Sequence, residues 1–254
     1  MLLTAVAAIE PGFPWLALSL TTLLAVALTL DETAVAQTWF SQPLPAGILV
    51  GLVWSEPALG LALGLTLQFL AVGNLPIGQP FTGEKLTPLL GLVAAAAAMD
   101  WAVTTPFTIT DPGTQRLGWL LVAAALGSLV GDRAVRWESR IHYRLMLVGL
   151  RGLRDGRYEQ LDRAHQRCIL TAAARGALMV LIWGALATWV WLPLFDALPE
   201  RIRTALGFLP WLTPALAIGT LGELYGNHRG LMWLSGGFVL TLAAVWTLTG
   251  LSGS

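Results

Sequence analysis

The fold turns on residues 44–75, "LPAGILVGLVWSEPALGLALGLTLQFLAVGNL", an apolar run cut at Ser55-Glu56-Pro57. Proline lacks an N–H and disfavours helix in the residue before it, so one helix must stop before Pro57 and another start there. The pieces are about 11 and 18 residues long, and the first falls short of the ~20 residues that cross a ~30 Å hydrocarbon core. The run then passes through Asn74 into "PIGQPFTGEKLT", residues 76–87, where the first basic residue of the chain, Lys85, appears. Asn74 to Thr87 is therefore expected to be the tip of a re-entrant hairpin, with Pro76 and Gly78 fixing a turn at membrane depth.

Composition sets the environment. Of 254 residues 56% are hydrophobic and 12% charged, with a mean hydropathy of +0.68, which a water-soluble domain of this length could not conceal. The expected class is all-α: a polytopic integral membrane protein with broken, re-entrant helices, forming one transmembrane domain over residues 1–254. Zero net charge leaves no overall nucleic-acid footprint. One cysteine, Cys168, excludes a disulfide framework and a Cys-rich metal site, and no cofactor is expected. No Lys or Arg precedes the first apolar run, so the N-terminus lacks the basic region of a signal peptide and is expected to be retained. Arginine outnumbers lysine fourteen to one, which fits a GC-rich bacterial genome and points to a bacterial cytoplasmic (inner) membrane.

Other apolar runs are short or interrupted as well. Pro14 to Leu30 is about 17 residues, the run after Lys85 is interrupted by Asp100, and Leu117 to Val130 is only about 14. Further runs cover Ile169 to Phe195, Leu206 to Leu224 and Gly230 to Leu251. Non-helical backbone at membrane depth survives only inside protein or against a water-filled cavity. Transporters build solute sites from such discontinuous helices. Ordinary kinks in a simple bundle are the alternative. Gly47 and Gly51, Gly60 and Gly64, Gly127 and Gly131, and Gly222 and Gly226 are spaced i, i+4, which predicts close backbone packing and not a ligand. Trp15, Trp54, Trp101, Trp119, Trp183 and Trp211 sit at span ends and read as interface belts.

Residues 132–175 hold ten of the fifteen basic residues. A basic excess in a short loop is retained in the cytoplasm, so a segment of about 132–168 is placed there. Arg133, Arg136, Arg140 and Arg144 follow helical spacing, which predicts an amphipathic helix on the membrane or on a partner.

Residues 30–78, "LDETAVAQTWFSQPLPAGILVGLVWSEPALGLALGLTLQFLAVGNLPIG", resemble the IIC subunit of mannose-family (mannose, fructose, sorbose) phosphotransferase-system permeases. The resemblance rests on Leu30, Asp31, Thr33 and Ala34, on Ser41 and Pro43, on Gly47, Gly51, Glu56, Gly60, Gly64 and Gln68, and on the Leu-Pro-x-Gly turn of Pro76 and Gly78. His165 and Arg175 look like that family's His-x9-Arg step, and "NHRGLMWLSGGF" like its last block. Gln42 replaces a common Arg, Gln68 a frequent Glu, and Gln79 to Lys85 departs from the usual acidic step. The resemblance implies a sugar-translocating subunit, not an enzyme by itself, in an oligomer. Its partners would be a IID membrane subunit, IIA and IIB phosphotransfer proteins, a sugar and membrane lipid.

A neutral, hydroxyl-rich sugar needs carboxylates and amides that exchange several hydrogen bonds. Asp31, Glu32, Gln37, Gln68, Asn74 and Gln79 lie at broken-helix positions and are the candidate substrate residues; Asp31 and Glu32 could equally mark an interface, and Asn74 a helix end. Glu56 and Pro57, with Pro76 and Gly78, are expected to shape hairpin turns. His165 and Arg175 are assigned to the cytoplasmic or partner side. No residue is expected to be catalytic or to bind a metal. Two alternatives stay open: a regulatory or structural subunit that lost transport, and an ion-coupled transporter using Asp31, Asp100 or Glu223 as proton relays.

Overall fold

The computed structural model of the chain describes residues 14–33, 38–71, 84–101, 108–225 and isolated positions between 232 and 239. Every element among them is helical: α1 (Trp15–Thr33), a 3-10 turn (Trp39–Ser41), α2 (Pro43–Val53), α3 (Pro57–Ala71), α4 (Leu86–Ala98), α5 (Pro112–Arg154) and α6 (Glu159–Leu186). A π turn (Ala187–Trp191), α7 (Leu192–Asp196), α8 (Glu200–Leu206) and α9 (Leu209–Tyr225) follow. Four stretches are long and apolar enough to cross a bilayer: Trp15–Glu32, Pro112–Arg154, Glu159–Asp196 and Glu200–Thr220. The chain is an all-α, multi-pass membrane protein.

Helices α2, α3 and α4 are too short to span. At 1.5 Å per residue, their 11, 15 and 13 residues reach about 16, 22 and 20 Å. The α2–α3 turn closes as a Schellman motif: Ser55 N–H donates to the Leu52 carbonyl at 3.2 Å and Glu56 N–H to the Gly51 carbonyl at 2.8 Å. Ser55 takes the left-handed conformation, φ +59°, that this motif requires. The Glu56 carbonyl accepts from Gly60 N–H at 3.2 Å, so Glu56 caps α3 and Pro57 is its first helical residue. At the tip, Trp54 Nε1 donates to Thr21 Oγ1 at 2.8 Å. Thr21 lies six residues into α1, about 9 Å from the level of Trp15. The hairpin therefore ends short of that face.

Backbone contact holds the hairpin together. A Cβ placed on Gly64 would come within 2.6 Å of the Pro43 carbonyl oxygen, one on Gly47 within 2.9 Å of Gly64 Cα, and one on Gly51 within 2.8 Å of the Glu56 carbonyl oxygen. The glycine spacing thus does what the sequence predicts. It does so again on α5, where a Cβ on Gly127 would meet Pro88 at 2.8 Å. Gly222 has nothing within 4 Å, and Gly226 lies outside the described residues.

The structure corrects three expectations. The apolar run Leu117 to Val130 is not a short span, because α5 continues without a break for 43 residues. No proline follows Gly131, and Asp132, where a break seemed due, is ion-paired one turn on with Arg136. The arginine-rich stretch is therefore the far end of a membrane helix and not a separate helix lying on the surface. It returns through residues 155–158 into α6, which continues as one helical stretch to Asp196. Trp101 and Trp119 are core residues, 6% and 8% exposed, and not interface belts. Trp119 stacks on Trp191 with ring centroids 4.2 Å apart. Each indole N–H donates to the other's carbonyl, at 2.8 and 3.1 Å, which ties α5 to the π turn. Trp15 and Trp211 are exposed, as a belt requires.

Replacing Gly60 by Val should abolish the folded hairpin, because its Cβ would run into the Gly47 carbonyl and come within 2.9 Å of Gly51 Cα. The readout is loss of the monodisperse protein in detergent, with the exposed Leu65→Ala as a tolerated control. Ser55→Gly should raise stability by about 0.5–1 kcal/mol by relieving the left-handed backbone, read from the unfolding midpoint.

Candidate solute site

The polar ends of the broken helices meet at one level. At the end of α1, Asp31 Oδ1 accepts from Thr38 N–H at 2.9 Å and Thr38 Oγ1 at 2.8 Å. This pulls the chain back so that α2 starts beside α1. At the other end of the hairpin, Gln68 Oε1 accepts from Leu44 N–H at 3.3 Å, occupying one of the amides that a helix N-terminus leaves open. Helix α4 begins with Glu84, 3% exposed, whose carboxylate accepts from Thr87 N–H at 2.8 Å and Thr87 Oγ1 at 2.5 Å. Glu84 sits under α5 at Gly131, where a Cβ would come within 2.7 Å of Glu84 Oε2. Glycine is needed there because a carboxylate fills the space.

Helices α5 and α6 complete the level. Glu138 and Arg175, 3% and 8% exposed, form an ion pair through Glu138 Oε2 and Arg175 Nε. His142 Nε2 lies 3.5 Å from Glu138 Oε1. Arg175 Nη1 and Nη2 are buried with no hydrogen-bond partner among the described residues. One residue beyond Arg175, Gly176 lets α6 lie against α1, since a Cβ would be 2.6 Å from Thr29 Oγ1. Glu32, exposed at the end of α1, is linked by charge interactions first to Glu84, then to Arg175, Glu138 and Lys85. Charged side chains from the end of α1, the start of α4, α5 and α6 thus lie around the buried Glu138–Arg175 pair. Burial of such groups in a membrane protein is costly unless they pair or serve a solute path.

Of the sequence candidates, Asp31 and Glu32 lie at this level. Asp31 is a tether for the chain, and Glu32 faces the charged group. Gln68 is a cap between α2 and α3. Gln37, Asn74 and Gln79, with the turn residues Pro76 and Gly78, lie outside the described residues. His165 is exposed on α6, whereas Arg175 is buried on Glu138 instead of facing a partner. Asp100 is no buried relay: it is exposed and takes the left-handed position, φ +53°, that closes α4. Trp101 N–H donates to the Ala96 carbonyl at 2.9 Å across it. The Glu223 side chain lies outside the described residues. Among the described residues no group of three His, Cys, Asp or Glu side chains could hold a metal ion.

Glu84, Lys85 and Glu138 are the residues that sequence reasoning missed. Glu138 was one acid among many arginines, yet Gly131, Val135, Glu138 and His142 share one helical stripe. The small residue at Gly131 marks that stripe as a packing face.

A profile of the phosphotransferase-system sorbose-specific IIC component matches residues 15–253. The chain belongs to this IIC family. It is therefore a sugar-specific permease component of a phosphotransferase system of the mannose/fructose/sorbose kind, embedded in the membrane by several spans. No curated protein matches it. A solved structure described as "Structure of membrane protein" superimposes with a TM-score of 0.64 over 93% of this chain and 94% of the other, at 16% identity. That likeness speaks for the fold alone.

Breaking the Glu138–Arg175 pair on one side leaves a buried charge alone, so Glu138→Gln or Arg175→Met should each cost about 3–5 kcal/mol. The double variant should recover most of that loss. Unfolding of the four proteins in a double-mutant cycle checks it.

Proposed function

We propose that this IIC subunit carries the sugar itself, acting with a IID membrane subunit, while IIA and IIB proteins on the cytoplasmic side pass phosphate to the arriving sugar. The observation that carries this reading is the buried Glu138–Arg175 pair, set where α1 packs on α6 at Gly176 and where buried Glu84 packs on α5 at Gly131. Sugar hydroxyls both donate and accept, so a group that alternates carboxylates with a guanidinium and an ammonium suits them. Short helices add amides and carbonyls freed from helical pairing. The level also suits phosphate transfer to the sugar. It lies where α5 passes from its apolar half into the arginine-rich half that the basic-loop rule places in the cytoplasm. A sugar released there meets a soluble phosphoprotein without crossing further.

Glu32 is the group placed to touch the sugar, and Glu84 a positioning residue that holds the start of α4. A proton-relay reading loses support with Asp100 exposed at a helix end.

The test is uptake of labelled sugar by cells carrying the complete set of subunits. Glu32→Gln should lower accumulation of phosphorylated sugar about tenfold or more, the value of a lost hydrogen bond to a charged group, with unchanged amounts of protein in the membrane. Asp100→Asn should leave it within about twofold, as surface changes do. Equal accumulation in cells lacking this subunit would overturn the proposal.

A further inference from the structure

Helices α5 and α6 leave between them a groove of about 620 Å³, open along one side and lined mostly by apolar side chains. Trp137, Ile141 and Leu145 form one wall and Leu170, Leu178 and Ile182 the other, with Arg167 at one end. We propose that this groove holds one acyl chain of an anionic phospholipid, with the headgroup phosphate on Arg167.

The position of the charge is the first argument. Arg167 immediately precedes the apolar run that starts at Ile169, the depth at which a headgroup meets hydrocarbon. It has no ion pair among the described residues, whereas Arg163 one turn earlier is taken by Glu159 at 3.0 Å. Arg140 and Arg144, both exposed, flank the α5 wall from the same end. Basic pockets between membrane helices on the side of the basic loop are suited to anionic headgroups.

The shape is the second. From Arg167 to Ile182 the groove runs about 22 Å along α6, deeper than one ~15 Å leaflet of hydrocarbon. Long, open along one side and walled by leucine, isoleucine and tryptophan side chains, it suits a flexible apolar chain. The walls include groups that lipid would cover, such as Leu170 at 67% and Leu178 at 59% exposed. Arg175 lines the same groove with two nitrogens that lack hydrogen-bond partners among the described residues.

The groove reaches the Glu138–Arg175 pair, both members of which line it. It would let the lipid hold α5 against α6.

The experiment is native mass spectrometry of the full-length chain in detergent, titrated with dioleoylphosphatidylglycerol or dioleoylphosphatidylcholine. One phosphatidylglycerol should be retained with about fivefold preference, the value of roughly 1 kcal/mol for one arginine near a headgroup. Arg167→Gln should remove the preference, and Arg167→Lys should restore it. Leu178→Trp, which fills the groove, should weaken retention of both lipids while the protein's melting temperature without lipid stays unchanged. Equal retention of the two lipids by the unaltered chain would overturn the proposal. So would an Arg167→Gln variant that keeps the preference, or displacement of the lipid by millimolar inorganic phosphate, which would mark a free-anion site. Binding of a IID helix in the groove would show as loss of the lipid from the copurified pair, and would overturn it as well.

Discussion

Hydrocarbon offers no partner to a backbone N–H or C=O, and this constraint shapes the rest of the molecule. A helix that stops inside the membrane must close its end within the protein. The α2–α3 turn does so through its Schellman bonds and through Trp54 on Thr21. The other ends do so with side chains: Gln68 on the first turn of α2, Glu84 on the first turn of α4, and Asp31 on the returning chain. Each device that satisfies the backbone also brings a polar side chain to membrane depth. The breaks in the helices and the polar groups at membrane depth are one arrangement.

Close packing makes the arrangement rigid. Glycines let α2 lie directly on α3, and α5 lie on Pro88 and Glu84 of α4. Lipid tails give helices little reason to associate by hydrophobicity, so backbone proximity and buried polar pairs must hold them. The reciprocal Trp119–Trp191 bonds and the Glu138–Arg175 pair fasten α5 to α6 at opposite ends of the membrane-crossing portion. Between them, α5 and α6 can carry charge out of the bilayer without a break. The Glu138–Arg175 pair is the fastener nearer the arginine-rich half of α5.

Much of the fold was legible in the sequence because proline and glycine act locally. Pro57 marked the break between two short helices, and the i, i+4 glycines their close packing, while the hairpin tip expected around Pro76 and Gly78 lies outside the described residues. Asp100 was misjudged for the opposite reason: its apolar neighbours suggested burial, while its left-handed backbone depends on how α4 ends. The continuity of α5 was missed because charge was taken as a sign of a boundary, although a helix has no reason to stop at Asp132 when Arg136 neutralises it one turn on. The site was half legible. Asp31 and Glu32 stood out as carboxylates closing an apolar run, but Glu84, Glu138 and Arg175 converge from positions up to 91 residues apart. No local pattern records such a meeting.

The central claim is that the α2–α3 hairpin enters the membrane and turns back without crossing. Spin labels at Ser55→Cys and at Asp100→Cys, each in a Cys168→Ser chain reconstituted in lipid bilayers, measure it directly through collision with oxygen and with a water-soluble nickel complex. A re-entrant hairpin predicts that the label at Ser55 meets oxygen readily and the nickel complex rarely, while the label at Asp100 meets the nickel complex freely. Equal access of the nickel complex to both labels would mean that the hairpin tip reaches water, and would contradict it.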